Sequence, residues 1–254
     1  MENIQMVSRY RQHNPDAKYQ LFCLGHAGGS AGYYMTWQKL LPKFIEPVIL
    51  QLPGRGETWK QPPFTTWPEV LAGVMTAIEA VRDQRPVAIF GHSLGALIGF
   101  EVARELQLRG QTPAHLIVSG MSAPQHYHVP KLRYTLPDEE LINYVDNLDA
   151  NTPKDDAYYD YVRFFLPTIR ADFQLVDTYQ YKPDPLLDCP ISTIGGQDDC
   201  LYPPESLISW QEVTKAQHDL KIFPGGHMFL APERTQVLEY ISSTLGRIAI
   251  NLKP

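Results

Sequence analysis

Ser93 stands between two glycines, in Gly91-His92-Ser93-Leu94-Gly95. This spacing suits a turn so tight that side chains two residues either side of the serine would collide, so glycine is wanted at both places. A hydroxyl held on such a turn is exposed at the N-terminus of the helix that follows. Free N–H groups and the helix dipole there favour developing negative charge. The chemistry implied is acyl transfer through a serine nucleophile, which needs a base and a group to orient that base.

On a strand–turn–helix scaffold the order along the chain is serine, then acid, then histidine. Five histidines follow Ser93. His115 falls inside an apolar run and reads as core or sheet edge. His126 and His128 open a helical region and read as solvated. His218 precedes an apolar run and reads as a surface turn. His227 lies in "IFPGGHMFLAPE", a glycine-rich loop between the last strand pattern and the last helix pattern, where it can hang over the serine. For the acid, "PISTIGGQDDC" ends a strand pattern in a loop carrying Asp198 and Asp199. Either carboxylate suits the spacing. The preceding strand pattern ends in "VSGMSAP", which offers no carboxylate.

An oxyanion needs two backbone N–H donors. Leu94 follows the serine directly and supplies one. The second is expected from the loop "LGHAGGSAGYY" (24–34), where His26 and Ala27 sit at the turn and Gly28 and Gly29 permit a close approach.

The elements that must carry these residues are legible as a pattern. Near-continuous apolar runs occur at 19–24, 47–52, 86–90, 113–120, 190–195 and 219–223, as expected of parallel strands buried on both faces. Four of them open on Pro47, Pro86, Pro113 or Pro190, a position where a strand does not yet need the N–H. Helical patterns at 67–82, 94–109, 204–217 and 231–247 alternate with them. The expectation is one α/β domain over 1–254 with a mostly parallel central sheet and helices on both faces. Residues 125–187 break the alternation with two helical stretches, the second interrupted by Pro167. They are expected to form a helical lid insertion. Its aromatics Tyr158, Tyr159, Tyr161, Phe164 and Phe165 are the candidates to line an acyl site.

Composition narrows the class. The 254 residues are 44% apolar and 20% charged, with a net charge of −6, which does not suit a nucleic-acid-binding surface. No apolar run reaches the roughly 18 residues of a membrane span. The first residues have no apolar core of a secretory signal. Cys23, Cys189 and Cys200 are too few and scattered for a disulfide framework or a zinc site, so a reducing cytoplasm is expected. The chain is expected to be monomeric.

The segments "HAGGSA", "LPGRG", "GHSLGA", "FFLPTIRADF", "GGQDD" and "GGHMFL" stand in the order of the type II thioesterases, and the sequence resembles that family from about residue 20 to 240. These are stand-alone α/β-hydrolases of nonribosomal peptide and polyketide pathways. "GHSLG" is shared with many hydrolases; the other segments are more specific. The resemblance implies Ser93 as nucleophile, His227 as base and Asp199 as the acid, with the Ala27 and Leu94 N–H groups holding the oxyanion. It implies an acyl or peptidyl carrier protein bearing phosphopantetheine as the partner, hydrolysis of stalled or misprimed acyl groups in trans, and no metal or organic cofactor. Gly25 stands where the family often has proline. Lys131 and Arg133, in "VPKLRYTLP", are the candidate basic residues to meet an acidic carrier, beside the plainer reading that two charges in a loop are simply solvated. A general carboxylesterase or acyl-CoA hydrolase would use the same triad, and a malonyl-type acyltransferase carries the same serine motif.

Overall fold

The computed structural model of the chain describes residues 6–8, 11–127, 132–148, 152–183 and 185–251. The six apolar runs become β1 (Tyr19–Leu24), β2 (Ile45–Leu50), β3 (Val87–His92), β4 (His115–Ser119), β5 (Ile191–Gly196) and β6 (His218–Phe223). Among the described residues they form one six-stranded sheet in the order β2-β1-β3-β4-β5-β6, parallel throughout. Every residue of β1, β2, β4 and β5 is buried, as a sheet covered on both faces requires. The expectation for Pro47 shifts slightly. It lies inside β2, opposite Leu21, and not at its start. It is tolerated because β2 is an edge strand. On the outer side of β2, Val7 bridges Leu50 in antiparallel fashion.

Alternate residues of each strand feed opposite faces. Phe22 and Leu24 join Val48, Ile89 and Leu116 under α2 (Trp67–Val81) and α3 (Leu94–Leu108). Leu21 and Cys23 join Ile49, Phe90 and Ile117 on the other face, where Trp37 of the short α1 (Trp37–Leu40) packs. Val237, Leu238 and Ile241, from the C-terminal helix, complete that layer. A capping box starts α2, in which the Thr66 N–H donates to Glu69 Oε2 at 3.1 Å.

The region between β4 and β5 holds α4 (Asp138–Leu148) and α5 (Asp156–Asp177). Pro167 does not interrupt α5. An internal proline costs a helix about 3 kcal/mol. Val162, Leu166, Ile169, Phe173 and Val176 recur at spacings of three and four along one buried stripe, and that burial offsets the loss. The helix expected over 204–217 is also different. A single turn, α6 (Pro204–Leu207), runs into a 3-10 segment, Ile208–Val213. Leu207, Trp210 and Val213 are all fully buried, and a repeat of three matches the 3-10 period. After β6 the chain closes with α7 (Arg234–Asn251).

His115 is buried in β4, and His218 is the first residue of β6, its Nε2 2.9 Å from Thr193 Oγ1, and not part of a surface turn. His115 Nε2 lies 2.8 Å from Ser192 Oγ, and the Ser192 hydroxyl donates to Asp219 Oδ1 at 2.6 Å. Burial pushes His115 down from 6.5 to about 4; Asp219 opposes that shift and Arg247 adds to it. The folded state therefore refuses a proton that the unfolded chain accepts. Stability should be unaffected above about pH 6.5 and should fall as pH drops from there to about 4, by roughly 3 kcal/mol from this residue. Urea midpoints at pH 7, 5 and 4 measure this. His115→Gln should flatten that part of the profile, and an unchanged slope would show that other groups carry it.

Candidate active site

β3 ends at His92 and α3 begins at Leu94, so Ser93 alone makes the turn between them. Its backbone sits at φ 55° and ψ −118°, and among the described residues it is the one non-glycine with positive φ. Such a conformation costs on the order of 1–3 kcal/mol and persists only where its surroundings enforce it. The Ser93 N–H donates to the Ser119 carbonyl at 2.8 Å. A Cβ on Gly91 would stand 2.0 Å from the Gly95 carbonyl oxygen, and one on Gly95 would stand 2.3 Å from that of Leu24. Both glycines are therefore required by contact with backbone that cannot move aside.

The structure brings together the three residues expected to act jointly. His227, on the loop after β6, places Nε2 3.2 Å from Ser93 Oγ and Nδ1 2.9 Å from Asp199 Oδ2. Asp199, on the loop after β5, is 2% exposed, and its Oδ1 accepts the N–H groups of Leu201 at 2.9 Å and Tyr202 at 3.2 Å. Asp198 is exposed. The two loops meet at Gly196, where a Cβ would lie 2.4 Å from the carbonyl oxygens of both Gly225 and Gly226. A carboxylate only accepts hydrogen bonds, so the shared proton sits on His227 Nδ1. That leaves Nε2 free to accept from the Ser93 hydroxyl.

His92 packs beside this pair, its ring centroid 5.2 Å from that of His227 and 5.7 Å from that of His26. Its Nδ1 lies 3.0 Å from Ser119 Oγ. Burial, reinforced by the neighbouring His227 and His26, holds His92 well below the ordinary histidine range. It stays neutral and places no second positive charge beside His227.

A narrow cavity opens at Ser93 and His227. Ala27 and His26 line one side of it; Leu201, Tyr202 and Met228 line another; Arg133, Tyr144, Leu148, Phe173 and Val176 roof it. Leu94 occupies the first position of α3, whose opening N–H groups have no partner within the helix. A wider groove between α2 and α3, lined by Leu71, Met75 and Arg109, lies away from the serine.

The five lid aromatics do not line this cavity. Tyr158 and Tyr159 bind the Asp146 carboxylate at 2.7 and 3.2 Å, tying α5 to α4. Tyr161 and Phe164 are exposed, and Phe164 and Phe165 pack edge to face, with Trp59 beside Phe164. The reason is distance. Phe165 and Phe173 are eight residues apart, about 12 Å along a helix, and only the C-terminal half of α5 reaches the serine.

Of the basic docking pair, Arg133 is corrected. Lys131 lies outside the described residues. Arg133 is not a surface cation: Nε donates to Asp177 Oδ1 at 2.7 Å, Nη1 to the Tyr144 hydroxyl at 3.1 Å and Nη2 to the Tyr127 hydroxyl at 2.7 Å. No cluster of His, Cys, Asp or Glu among the described residues is arranged to hold a metal ion, and no helix there is long and apolar enough to cross a membrane.

One feature of the site was not read from the sequence, although its two residues lie in the segments "LPGRG" and "FFLPTIRADF". Arg55 and Asp172 form a buried pair, Nη1 to Oδ2 at 2.5 Å and Nη2 to Oδ1 at 2.7 Å. Asp172 Oδ2 also accepts the Gly28 N–H at 2.7 Å. The only hints are an arginine in the glycine-rich "LPGRG" and an acidic residue on the apolar face of α5.

A parallel sheet with helices on both faces, a serine on a strained strand-to-helix turn after β3 and a histidine after the last strand define an α/β-hydrolase. The chain belongs to the thioesterase family: the thioesterase domain model matches residues 19–245. The gramicidin S biosynthesis protein GrsT of Aneurinibacillus migulanus is 36% identical to it over 236 residues, 91% of each chain. The type II thioesterase BorB of the borrelidin biosynthetic cluster superposes with a TM-score of 0.88 at 34% identity, covering 96% of this chain and 98% of BorB. The thioesterase RedJ of the prodiginine pathway in Streptomyces coelicolor gives a TM-score of 0.85 at 33% identity, over 91% and 87%. Within the family the chain falls with the type II enzymes of nonribosomal peptide and polyketide clusters, hydrolases acting on thioesters.

Proposed function

We propose that the chain hydrolyses acyl groups from the phosphopantetheine arm of acyl or peptidyl carrier proteins in trans, clearing stalled or misprimed carriers, with Ser93, His227 and Asp199 as its catalytic residues. The observation that carries the assignment is the continuous relay from Ser93 Oγ through His227 to Asp199. His227 Nε2 takes the Ser93 proton as Oγ attacks the thioester carbonyl. The resulting oxyanion is held by the N–H groups of Ala27 and Leu94. The C–S bond breaks, and His227 returns the proton to the thiol. Water then enters and gives its proton to His227 Nε2. Its oxygen attacks the acyl-serine, the C–Oγ bond breaks, Ser93 recovers its proton and the free acid leaves. Neutral His92 beside His227 avoids opposing the imidazolium that forms in both steps.

α4 and α5 act as the lid in this reading. The roof formed by Tyr144, Leu148, Phe173 and Val176 leaves a narrow space, which suits a thin pantetheine arm entering past it. Contacts between carrier and enzyme remote from the serine then help to place the thioester, and remote binding energy raises the chemical rate.

The test compares kcat/KM for one acyl group carried on a holo carrier protein and on a pantetheine analogue. A clear preference for the carrier, about tenfold or more, is expected. Equal values would replace the carrier reading with that of a general acyl-thioester hydrolase.

A further inference from the structure

The loop carrying Ala27 is fastened from outside the triad. Asp172, on α5, is 1% exposed and Arg55, on the loop after β2, is 2% exposed. They meet in the two-pronged geometry in which a guanidinium holds a carboxylate in one orientation. The Arg55 fork is itself oriented, since Nε and Nη2 both donate to the Pro53 carbonyl at 3.3 Å. The lone pair of Oδ2 that remains faces the Gly28 N–H. Arg55 Nη1 also reaches the Gly29 carbonyl at 3.4 Å, so the same two side chains hold the donor of one residue and the acceptor of the next. Gly28 has φ +75°, and a Cβ there would stand 3.1 Å from Ile169 Cγ1, one turn before Asp172 on the same helix. Further along, the Ala31 N–H donates to Gln51 Oε1 at 3.0 Å.

We infer that Asp172, oriented by Arg55, is the positioning residue of the oxyanion site: by holding the Gly28 N–H it fixes the Ala27–Gly28 peptide, and the turn closed by the Gly29 N–H on the His26 carbonyl at 2.9 Å passes that constraint to the His26–Ala27 peptide, which carries the Ala27 N–H. Three considerations support this over a purely structural ion pair. A buried ion pair is weak evidence of stabilisation, because its desolvation cost rivals its attraction. The third hydrogen bond goes to the residue directly after Ala27, which lines the cavity at Ser93. And Phe173, next to Asp172, lines the same cavity, so the helix that walls the acyl group also carries the fastening.

The inference rests on the proposed reaction at Ser93, in which Ala27 helps to hold the oxyanion, and the experiment separates its failure from the failure of that reading. Asp172→Asn keeps a side chain of the same size but offers one acceptor oxygen where three donors need two. The measurements are kcat, KM, the inhibition constant of a trifluoromethyl ketone that forms a tetrahedral adduct with the serine, and the Kd of a non-hydrolysable thioether analogue. Loss of one well-placed oxyanion donor typically costs about 10²–10³ in kcat, so misdirecting one should cost about 10- to 100-fold. KM and the thioether Kd should stay within about threefold. The inhibition constant of the ketone should rise by the same factor as kcat falls, which a general loosening of the fold would not produce. If Asp172→Asn does not fold, Arg55→Lys, which keeps the charge and loses the fork, should give a smaller loss with the same proportionality. An unchanged kcat, or a fall in kcat with ketone affinity intact, would reduce the pair to a structural role. Adduct formation and turnover that persist in Ser93→Ala would instead sink the assignment of the site itself.

Discussion

Ser93→Ala should abolish thioester hydrolysis, with kcat falling by about four orders of magnitude or more. The cavity, the Ala27 and Leu94 backbone and the His227–Asp199 pair all survive the change, but nothing remains to attack the carbonyl. The fold should survive as well. Alanine must adopt the same φ of 55° as serine, so the strain of the turn is unchanged. Among the described residues the serine hydroxyl hydrogen-bonds to His227 alone, at 3.2 Å. The measurements are turnover of an acyl-pantetheine substrate and labelling by a fluorophosphonate probe, with thermal unfolding as the control. A single labelled serine in the wild type and none in the variant is the expected result. Persistent labelling would take Ser93 out of the mechanism.

Asp199→Ala should be nearly as damaging, and Asp198→Ala should not be. In the proposed mechanism Asp199 fixes the His227 tautomer through the 2.9 Å contact with Nδ1 and stabilises the imidazolium during both half-reactions. Loss of a triad carboxylate costs on the order of 10⁴ in kcat. Asp199 also accepts two backbone N–H groups, so its removal should loosen the loop that carries Leu201 and Tyr202, both part of the cavity wall. Asp198 is exposed and its substitution should leave kcat within about threefold. Steady-state kinetics of the two variants decide it, and a larger loss in Asp198→Ala would reverse the assignment.

The strands were legible to within about two residues because a two-faced parallel sheet demands unbroken apolar runs, and little else in a chain produces them. The serine turn was legible because backbone-to-backbone contact leaves glycine no substitute at 91 and 95. The proposed acid was legible from the residues only as one of a pair. Neighbouring carboxylates after one strand look alike in sequence, and what separates Asp199 from Asp198 is burial and two backbone N–H groups, which depend on how the loop folds. The cavity wall was misplaced for a similar reason. α5 carries one apolar stripe along 22 residues, about 33 Å, and the stripe alone does not say which end covers the serine. Arg55 and Asp172 lie 117 positions apart, and no local pattern announces a pairing over that span.

The two margins of the sheet bear on how this chain behaves at high concentration. A bare strand edge is a template on which a second molecule can pair, and natural sheets blunt it with proline, charge or a covering segment. Here Pro47 removes a donor from β2, and residues 6–8 occupy its outer side, with the Ser8 N–H donating to the Ile49 carbonyl at 3.0 Å and the Gln51 N–H to that of Met6 at 2.8 Å. At the opposite margin β6 turns Asp219 and Lys221 to solvent at alternate positions, where a neighbouring strand would have to bury them. Strand-by-strand polymerisation is thus opposed at both ends of the sheet.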